Sequence, residues 1–290
     1  MSNPIEQPGP DKGVSPAAVM DPHPRGPLRD SVARMADFGH CGKAKNDVVA
    51  LAALLAAITI FFWKIALSNR VLAGLDVFAY FYPYRDYVSA ALLAGRLPLW
   101  NPHLFMGAPL LAYSQAAVLY PLHWPLIWLS APKQVAWSVL LHLWLAGAGA
   151  YLYARLVMRL GSLAAFVTGV IFALGGFLGA QVEHLNQLNA SAWLPWLLLT
   201  LEGMMLPGRR RWLAVLAGGA VVGLTLLAGH TQAAYIVLFA AAVYAGLRGG
   251  QDPLRPWWQG ALTGLAALAL MAIVGMALAA GQLLPSLELS

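Results

Sequence analysis

Residues 134–154 read QVAWSVLLHLWLAGAGAYLYA and contain no Asp, Glu, Lys or Arg. An α-helix needs about 20 mostly apolar residues to cross the roughly 30 Å hydrocarbon layer of a bilayer, and this run has that length. The next charged side chains, Arg155 and Arg159, belong to a short basic loop. The stretch therefore predicts a membrane-spanning helix that ends at a basic loop.

Similar apolar runs recur through the 290 residues, of which 60% are hydrophobic and only 10% are charged. This composition is too apolar for a soluble core, and only helices or closed barrels satisfy their backbone in lipid. The runs are too long for barrel strands, so we expect an all-α, polytopic membrane bundle. About seven spans are predicted, at 48–67, 134–154, 163–181, 190–206, 212–229, 232–247 and 258–280. The short run 190–206 and the tight junction at 229–232, where a re-entrant break is the alternative, leave this count open by one.

The distribution of Lys and Arg predicts the orientation, because these residues concentrate in short cytoplasmic loops. The loops after the second, fourth and sixth spans are basic, and so is the segment before the first span. The residues concerned are Lys43, Lys45, Arg155, Arg159, Arg209, Arg210, Arg211, Arg248 and Arg255. We therefore expect a cytoplasmic N-terminus. The net charge of +6 is read as a topology signal, with no nucleic acid as partner.

Residues 1–46 differ from the rest, because they are rich in Pro and Gly and have no apolar period. They are expected to form a disordered cytoplasmic tail with no cleavable signal, and 47–290 the transmembrane domain. The only cysteine, Cys41, lies in this tail, which excludes an intramolecular disulfide or a thiolate metal site.

The segment 68–133 is the long first outer loop, and it is dense in aromatic residues and prolines. Such a composition is typical of short helices in the headgroup layer, where aromatic bodies lie in lipid and polar tips in water. Residues 84–94 are predicted to form one interfacial helix. An aromatic belt without catalytic duty explains most of the rings equally well.

Polar residues concentrate on the outer side, and we expect them to converge on one cavity. They are Asp76, Asp86, Glu183, His184, Asn186, Gln187, His230, Gln232, Gln282 and Glu288. Asp76 follows the first span, where a charge needs water or a partner. For Asp86 a solvated or locally paired surface charge is the alternative, and for His184 and His230 a hydrogen bond to a carbonyl. His142, in mid-span, is read as an interhelical hydrogen-bonding group.

Several catalytic signatures are absent from the sequence: a Gly-rich phosphate loop, a His-Glu-x-x-His helix, a serine elbow and a cysteine cluster. Their absence argues against a nucleotide-driven motor and a zinc protease. An outer cavity with carboxylates, histidines and an aromatic roof fits a substrate with a lipid part and a polar head.

Several ordered motifs in 48–290 resemble the YfhO family of bacterial membrane proteins. They are DVFAYFYPY at 76–84, GRLPLWNP at 95–102, GAP at 107–109, Glu183-His184, LPW at 194–196, GHTQ at 229–232 and GQLLPSLE at 281–288. That family looks like part of the GT-C superfamily, glycosyltransferases of the membrane. YfhO-type proteins are usually longer, so the resemblance implies that this chain corresponds to an N-terminal part of such a protein.

The resemblance implies a multi-pass protein of the bacterial plasma (inner) membrane that transfers a sugar from a polyprenyl-phosphate carrier on the outer face, with inversion. The acceptor would be a cell-envelope glycan, lipid or protein. Asp76 matches the essential acidic position, as general base or, where one is used, as ligand of a divalent cation; no other cofactor is implied. Arg96 is preferred over Arg70, Arg85 and His230 for the phosphate. The residues assigned to substrate binding are Asp86, Arg96, Glu183, His184, His230, Gln232, Gln282 and Glu288.

Two other functions remain open at this point. A transporter or flippase-like protein for a lipid-linked or small polar solute would also place His and carboxylates within a membrane bundle. No convincing internal repeat supports it, because the long first outer loop has no later counterpart. A non-catalytic scaffold would leave the outer polar residues without a purpose.

Overall fold

The computed structural model describes residues 41–104, 106–205, 210–252 and 254–289, and within them the chain is helical with one isolated β-bridge between Asn101 and Ala108. The α-helices, in chain order, are α1 (Cys41–Phe61), α2 (Trp63–Leu67), α3 (Tyr82–Leu93), α4 (Ala131–Leu156), α5 (Ser162–Leu174), α6 (Gly176–Ala180), α7 (Leu185–Ser191), α8 (Leu194–Met205), α9 (Arg210–Leu227), α10 (Thr231–Gly249), α11 (Trp257–Leu278) and α12 (Ala280–Leu289). A π-helical turn, Val77–Phe81, precedes α3 directly, and 3-10 turns lie at Ser114–Ala116, Pro121–Leu126 and Gln181–Glu183.

Four stretches are long and apolar enough to cross a membrane: Ala131–Leu156, Ser162–Glu183, Thr231–Gly249 and Trp257–Leu278. They coincide with four of the predicted spans and support a membrane protein. The other three predicted spans correspond to shorter or interrupted helices. The span 48–67 is divided at Phe62 into α1 and α2, 190–206 contains only the 12-residue α8, and 212–229 falls on α9.

Helix α1 begins at Cys41, within the last residues of the predicted tail 1–46. Asp47 explains the early start, since its carboxylate accepts hydrogen bonds from Arg155 Nε at 2.8 Å and from the Tyr151 hydroxyl at 2.5 Å. These contacts hold the beginning of α1 against the end of α4. The prediction for 1–40 lies outside the described residues.

The ends of the long helices meet on two opposite sides of the bundle. On one side Asp47 pairs with Arg155, Glu202 pairs with Arg248 Nε at 2.7 Å, and the hydroxyl groups of Tyr153 and Tyr244 lie 2.9 Å apart. These groups join the beginning of α1 to the last turns of α4, α8 and α10. The helices therefore alternate in direction, and Arg155 and Arg248, two of the arginines of the predicted basic loops, lie on the same side.

The opposite side is organised by breaks in the helices. Gly175 is extended (φ −64°, ψ 160°) and separates α5 from α6, so the chain reaches Gln181–Glu183 through a short, redirected helix. Gly229 has φ +85°, a conformation that favours glycine. A Cβ on it would lie 2.4 Å from the carbonyl oxygen of Ser114, so only glycine permits this turn to pack against the segment 68–133, which we call the outer segment after its predicted side.

The outer segment is folded into the bundle and held there by side chains from distant helices. Asn186 Nδ2 donates to the carbonyl of Gln115 at 2.6 Å, Gln282 Nε2 to that of Leu111 at 2.5 Å, and the Ser286 hydroxyl to that of Ala112 at 2.7 Å. Irregular backbone at membrane depth is tolerated where protein surrounds it, and these donors satisfy its carbonyl groups. Helix α3, Tyr82–Leu93, covers most of the predicted helix 84–94.

Candidate functional site

The side of the bundle opposite the ion pairs, which the sequence predicts to be the outer side, carries an acidic side chain next to an imidazole. Asp76 Oδ2 lies 3.7 Å from His184 Nε2, and both side chains are more than half exposed. Asp76 is the residue before the π-helical turn, and His184 lies between the 3-10 turn Gln181–Glu183 and α7. The two residues are 108 positions apart in the sequence. Both lie where a regular α-helix is interrupted, and the fold brings these two places together.

Glu183 belongs to the same place. A Cβ built on Gly74 would lie 2.9 Å from Glu183 Oε2, so this carboxylate contacts the backbone that leads to Asp76. A glycine at position 74 leaves room for the close approach. The carboxylates of Asp76 and Glu183 thus both lie at the start of the π-helical turn.

His230 completes the group, which we call the acid–histidine cluster (Asp76, Glu183, His184 and His230). His230 Nδ1 accepts a hydrogen bond from the backbone N–H of Ala233 at 3.0 Å and so caps the N-terminus of α10. Partial burial, together with the charge of nearby His184, lowers the pKa of His230. Its imidazole is therefore neutral at pH 7, with Nδ1 free of a proton.

Within the described residues, no hydrogen bond or ion pair joins the remaining predicted site residues to this cluster. Asp86 on α3, Arg96 beyond it, Gln232 in the first turn of α10 and Glu288 near the end of α12 are exposed. Gln282 is buried, and its amide holds the backbone of the outer segment. Asn186 is buried as well, as the short connection between the spans predicts.

A second polar group lies inside the bundle, and we call it the buried network (Arg85, Tyr120, His123, Ser138, His142, Asn189 and Trp193). Its first half centres on His123 Nε2, which lies 3.1 Å from both Arg85 Nη2 and Asn189 Nδ2. Since a guanidinium has only donors, Nε2 is the acceptor and the proton of the ring is on Nδ1. Nδ1 faces the carbonyl of Ala117 without a well-aligned hydrogen bond. Burial and the Arg85 charge lower the pKa of His123, so the ring is neutral.

The second half of the buried network is a directed chain of hydrogen bonds. Trp193 Nε1 donates to the Tyr120 hydroxyl at 3.0 Å, and this hydroxyl lies 2.6 Å from His142 Nε2. The other ring nitrogen, His142 Nδ1, lies 2.7 Å from the carbonyl oxygen of Ser138. The carbonyl can only accept, so His142 Nδ1 carries the proton and Tyr120 donates to Nε2. His142 is thus a hydrogen-bonding group between α4 and the outer segment.

His142 lies eleven residues beyond Ala131, the first residue of α4, which corresponds to roughly 16 Å along a helix that rises about 1.5 Å per residue. Tyr120 and His123 therefore pack against the middle of α4, well beyond its first turn. His123 was not recognised in the sequence, where it stands alone in Pro-Leu-His-Trp-Pro-Leu, 38 residues from Arg85. No local signal connects the two residues.

Arg85 differs from the other buried ionised groups. Its side chain is buried, at 5% exposure, and no carboxylate pairs with it among the residues that the structure describes. Burial lowers the pKa of Arg85 to about 10, which leaves the guanidinium charged at neutral pH. Its neighbours include the phenol groups of Tyr80 and Tyr120.

An apolar cavity of about 390 Å³ lies beside α7, between the α5–α6 break and α10. Its walls include Phe172, Phe177, Leu194 and Val237, and its polar lining comes from Gln187 and Ser191. Gln187 and Ser191 are three and seven residues after His184. The cavity therefore begins within one helical turn of the acid–histidine cluster.

Within the described part of the chain, no three His, Cys, Asp or Glu side chains are placed to hold one metal ion. The acid–histidine cluster thus does not form a metal centre by itself. Comparisons of this chain with protein-family models, with curated proteins and with solved structures return no match.

Proposed function

We propose that this protein is a membrane glycosyltransferase that moves a sugar from a polyprenyl-phosphate donor to an acceptor on the extracytoplasmic face. The observation that carries the proposal is the Asp76 carboxylate, exposed on the outer side and 3.7 Å from His184 Nε2. A general base must come within hydrogen-bond reach of the acceptor hydroxyl, and an exposed carboxylate is open to such an approach.

In the proposed reaction Asp76 accepts the proton of the acceptor hydroxyl while the oxygen of that hydroxyl attacks the anomeric carbon of the donor sugar. The new C–O bond forms on the face opposite the phosphate, the bond from the anomeric carbon to the phosphate oxygen breaks, and the electron pair leaves with the carrier phosphate. The configuration is inverted, and no sugar–enzyme bond is formed. Glu183 and His184 would orient the acceptor or the sugar, because they flank the carboxylate.

A divalent cation is the alternative role for Asp76. Among the described residues no three His, Cys, Asp or Glu side chains are placed to bind one ion together, so we derive no step through an ion. The mechanism therefore assigns the proton transfer to the carboxylate alone.

The lipid part of the donor needs an apolar surface next to the chemistry. The cavity of about 390 Å³ beside α7 begins one helical turn from His184 and is lined mainly by apolar side chains. In this proposal the full membrane domain has seven spans, and its N-terminus lies in the bacterial cytoplasm. The arginine-bearing helix ends share one side of the bundle, as the positive-inside rule requires.

The test is an incubation of membranes that contain the protein with polyprenyl-phosphate sugars, with mass spectrometry of the lipid, glycan and protein fractions. The proposal predicts a glycosylated product together with free polyprenyl phosphate. Membranes without the protein are the control. Absence of any product with the whole panel of donors and envelope acceptors contradicts the proposal.

A transporter is the second candidate, and one observation favours it. The helix that begins at Ser162 is interrupted at Gly175, directly before the acid–histidine cluster, and discontinuous helices are common at substrate sites of transporters. Movement of a lipid-linked or polar solute across liposomes that contain the protein, without any covalent product, is the result that would favour this function.

A further inference from the structure

The charge of Arg85 is the feature of the fold that the proposed reaction does not use. Among the other cations of the described chain, Arg155 pairs with Asp47 and Arg248 with Glu202, and the half-buried Lys133 donates to the backbone carbonyl groups of Ile65 and Ser68. An isolated charge within a bundle costs several kcal/mol unless a counter-charge is present, since burial removes its hydration. Arg85 has instead a neutral imidazole acceptor and phenol groups around it.

The phenol groups are placed as further donors. The Tyr80 hydroxyl is buried and makes no well-aligned hydrogen bond within the described residues, although it lies near the Tyr113 hydroxyl. Its ring centre is 4.2 Å from that of Tyr84 and 5.9 Å from that of Tyr113, which is 40% exposed. These three rings, the tyrosine trio, therefore connect Arg85 with the outer surface.

The backbone around this group is also unusual. Tyr80 lies in the π-helical turn Val77–Phe81, and π-helical turns occur frequently at functional sites. The turn continues directly into α3, which carries Arg85, so both donors belong to one rigid helical run. Nine residues separate Asp76 from Arg85, or roughly 13 Å at about 1.5 Å per residue.

We propose that Arg85, with the hydroxyl groups of Tyr80 and its neighbours in the tyrosine trio, binds a phosphate-class oxyanion that enters past Tyr113. A guanidinium presents several N–H donors in one plane and matches the oxygen atoms of phosphate, and the phenols add neutral donors. The anion is either free phosphate or the phosphate of a lipid headgroup. Its assignment to the sugar donor rests on the proposed function, whereas the site itself does not.

The motif at 95–102 favours Arg96 for this role. Arg96 is exposed just beyond the end of α3, where a cation is hydrated and has little need of an anion. It is therefore a matched control, because it is a cation of the same type on the same segment.

The experiment is thermal unfolding of the purified full chain with increasing inorganic phosphate, at constant ionic strength with chloride. Phosphate should raise Tm by about 3 °C near saturation in the wild type and in Arg96→Gln. Arg85→Gln should lose this shift. General salt stabilisation affects all variants alike, so the difference between them is the result.

A second arm distinguishes the two sources of the anion. In nanodiscs of phosphatidylcholine, addition of polyprenyl phosphate should raise Tm in an Arg85-dependent manner if a headgroup binds. A shift only with inorganic phosphate assigns a free anion, and a shift only with the lipid assigns a headgroup. No shift with either compound in the wild type, or an equal shift in Arg85→Gln, overturns the proposal.

Two further variants keep the outcome clear. If Arg85→Gln does not fold, Arg85→Lys retains the charge without the planar group and should bind phosphate at least about fivefold more weakly. Equal phosphate affinity in Arg85→Lys and the wild type would then count against the site. Asp76→Asn should keep the full phosphate shift, so that loss of sugar transfer and loss of anion binding are separate results.

Discussion

Asp76 and Arg85 lie on one helical run, yet their surroundings are opposite. The Asp76 side chain is 58% exposed, whereas Arg85 is 5% exposed. An exposed carboxylate can meet a substrate hydroxyl at once, while a buried guanidinium acts only on what reaches the interior. The two residues thus define an outer and an inner polar centre, at opposite ends of the same short run.

The sequence predicted the members of the outer centre better than those of the inner one. Glu183 and His184 stand between two apolar runs with no room for a free loop, so their position at a helix boundary is evident from the pattern. His123 meets Arg85, and Ser138 meets His123, only through tertiary packing, and a single His or Ser in an apolar stretch gives no signal of its partner.

His230 gives a prediction at the scale of a single residue. Its Nδ1 must be unprotonated to cap α10, and its pKa is lowered in the folded protein. Below about pH 6.5 the unfolded chain binds more protons at this residue than the folded chain. The stability that this residue contributes is therefore complete above pH 6.5, and falls as the pH drops from there toward the lowered pKa.

The measurement is Tm between pH 5 and 8 for the wild type, His230→Asn and His230→Ala. Asparagine is also a good N-cap, so His230→Asn should flatten the acidic part of the profile while stability at pH 7.5 stays near the wild-type value. His230→Ala should lose about 1 kcal/mol at pH 7.5. An unchanged acidic decline in His230→Asn would show that other groups cause it.

At the scale of elements, glycine governs how closely α10 and α11 pack. A Cβ on Gly264 would lie 2.2 Å from the carbonyl oxygen of Ala245, and one on Gly260 would lie 2.1 Å from that of Gly249. Small residues let membrane helices approach backbone to backbone, where dispersion and weak hydrogen bonds favour association. Gly246, on the same helix as Gly249, has open space at this position.

Gly264→Ala should therefore force α10 and α11 apart and lower the free energy of unfolding by about 1–3 kcal/mol. Gly246→Ala is the matched control and should be neutral or stabilising by up to about 1 kcal/mol, because alanine favours a helix. Unfolding in a mild detergent, followed by loss of helical circular dichroism, compares the two. Equal stabilities of the two variants would mean that the contact is not tight in solution.

The breaks in the helices show where pattern alone stops. The apolar runs predict where the four long helices lie, because length and hydropathy are local properties. They do not predict that the first run divides at Phe62 or that the run from Ser162 is interrupted at Gly175. After both breaks the chain leads to the predicted outer side, where it packs against partners far away in the sequence.

At the scale of the whole molecule, the structure has one side held by ion pairs and another that carries the acid–histidine cluster. The contact between Gln282 and Leu111 spans 171 residues and joins α12 to the outer segment, which no periodicity reveals. The alternation of helix directions, by contrast, follows from the count of spans and from the basic loops. The positions of the four long apolar stretches are therefore the part of the fold that the sequence predicts best.

The orientation can be measured with single cysteines introduced into a Cys41→Ser background. We expect Asp86→Cys, on the outer segment, to react with a membrane-impermeant maleimide in intact spheroplasts, and Gln251→Cys to react only after lysis. Both positions are exposed, so a difference in labelling reports the side of the membrane. The reverse pattern would place the acid–histidine cluster in the cytoplasm and contradict an outer active site.

The most direct test of the account is the initial rate of sugar transfer in membranes that contain equal amounts of wild type, Asp76→Asn and Asp86→Asn. Loss of a positioned base predicts a rate about 10²- to 10⁴-fold lower for Asp76→Asn, with correct insertion and unchanged phosphate binding. Asp86→Asn, with its exposed carboxylate outside the acid–histidine cluster, should stay within about threefold of the wild type, since a solvated surface charge contributes little. Wild-type transfer by Asp76→Asn would contradict the central claim that this carboxylate is the base.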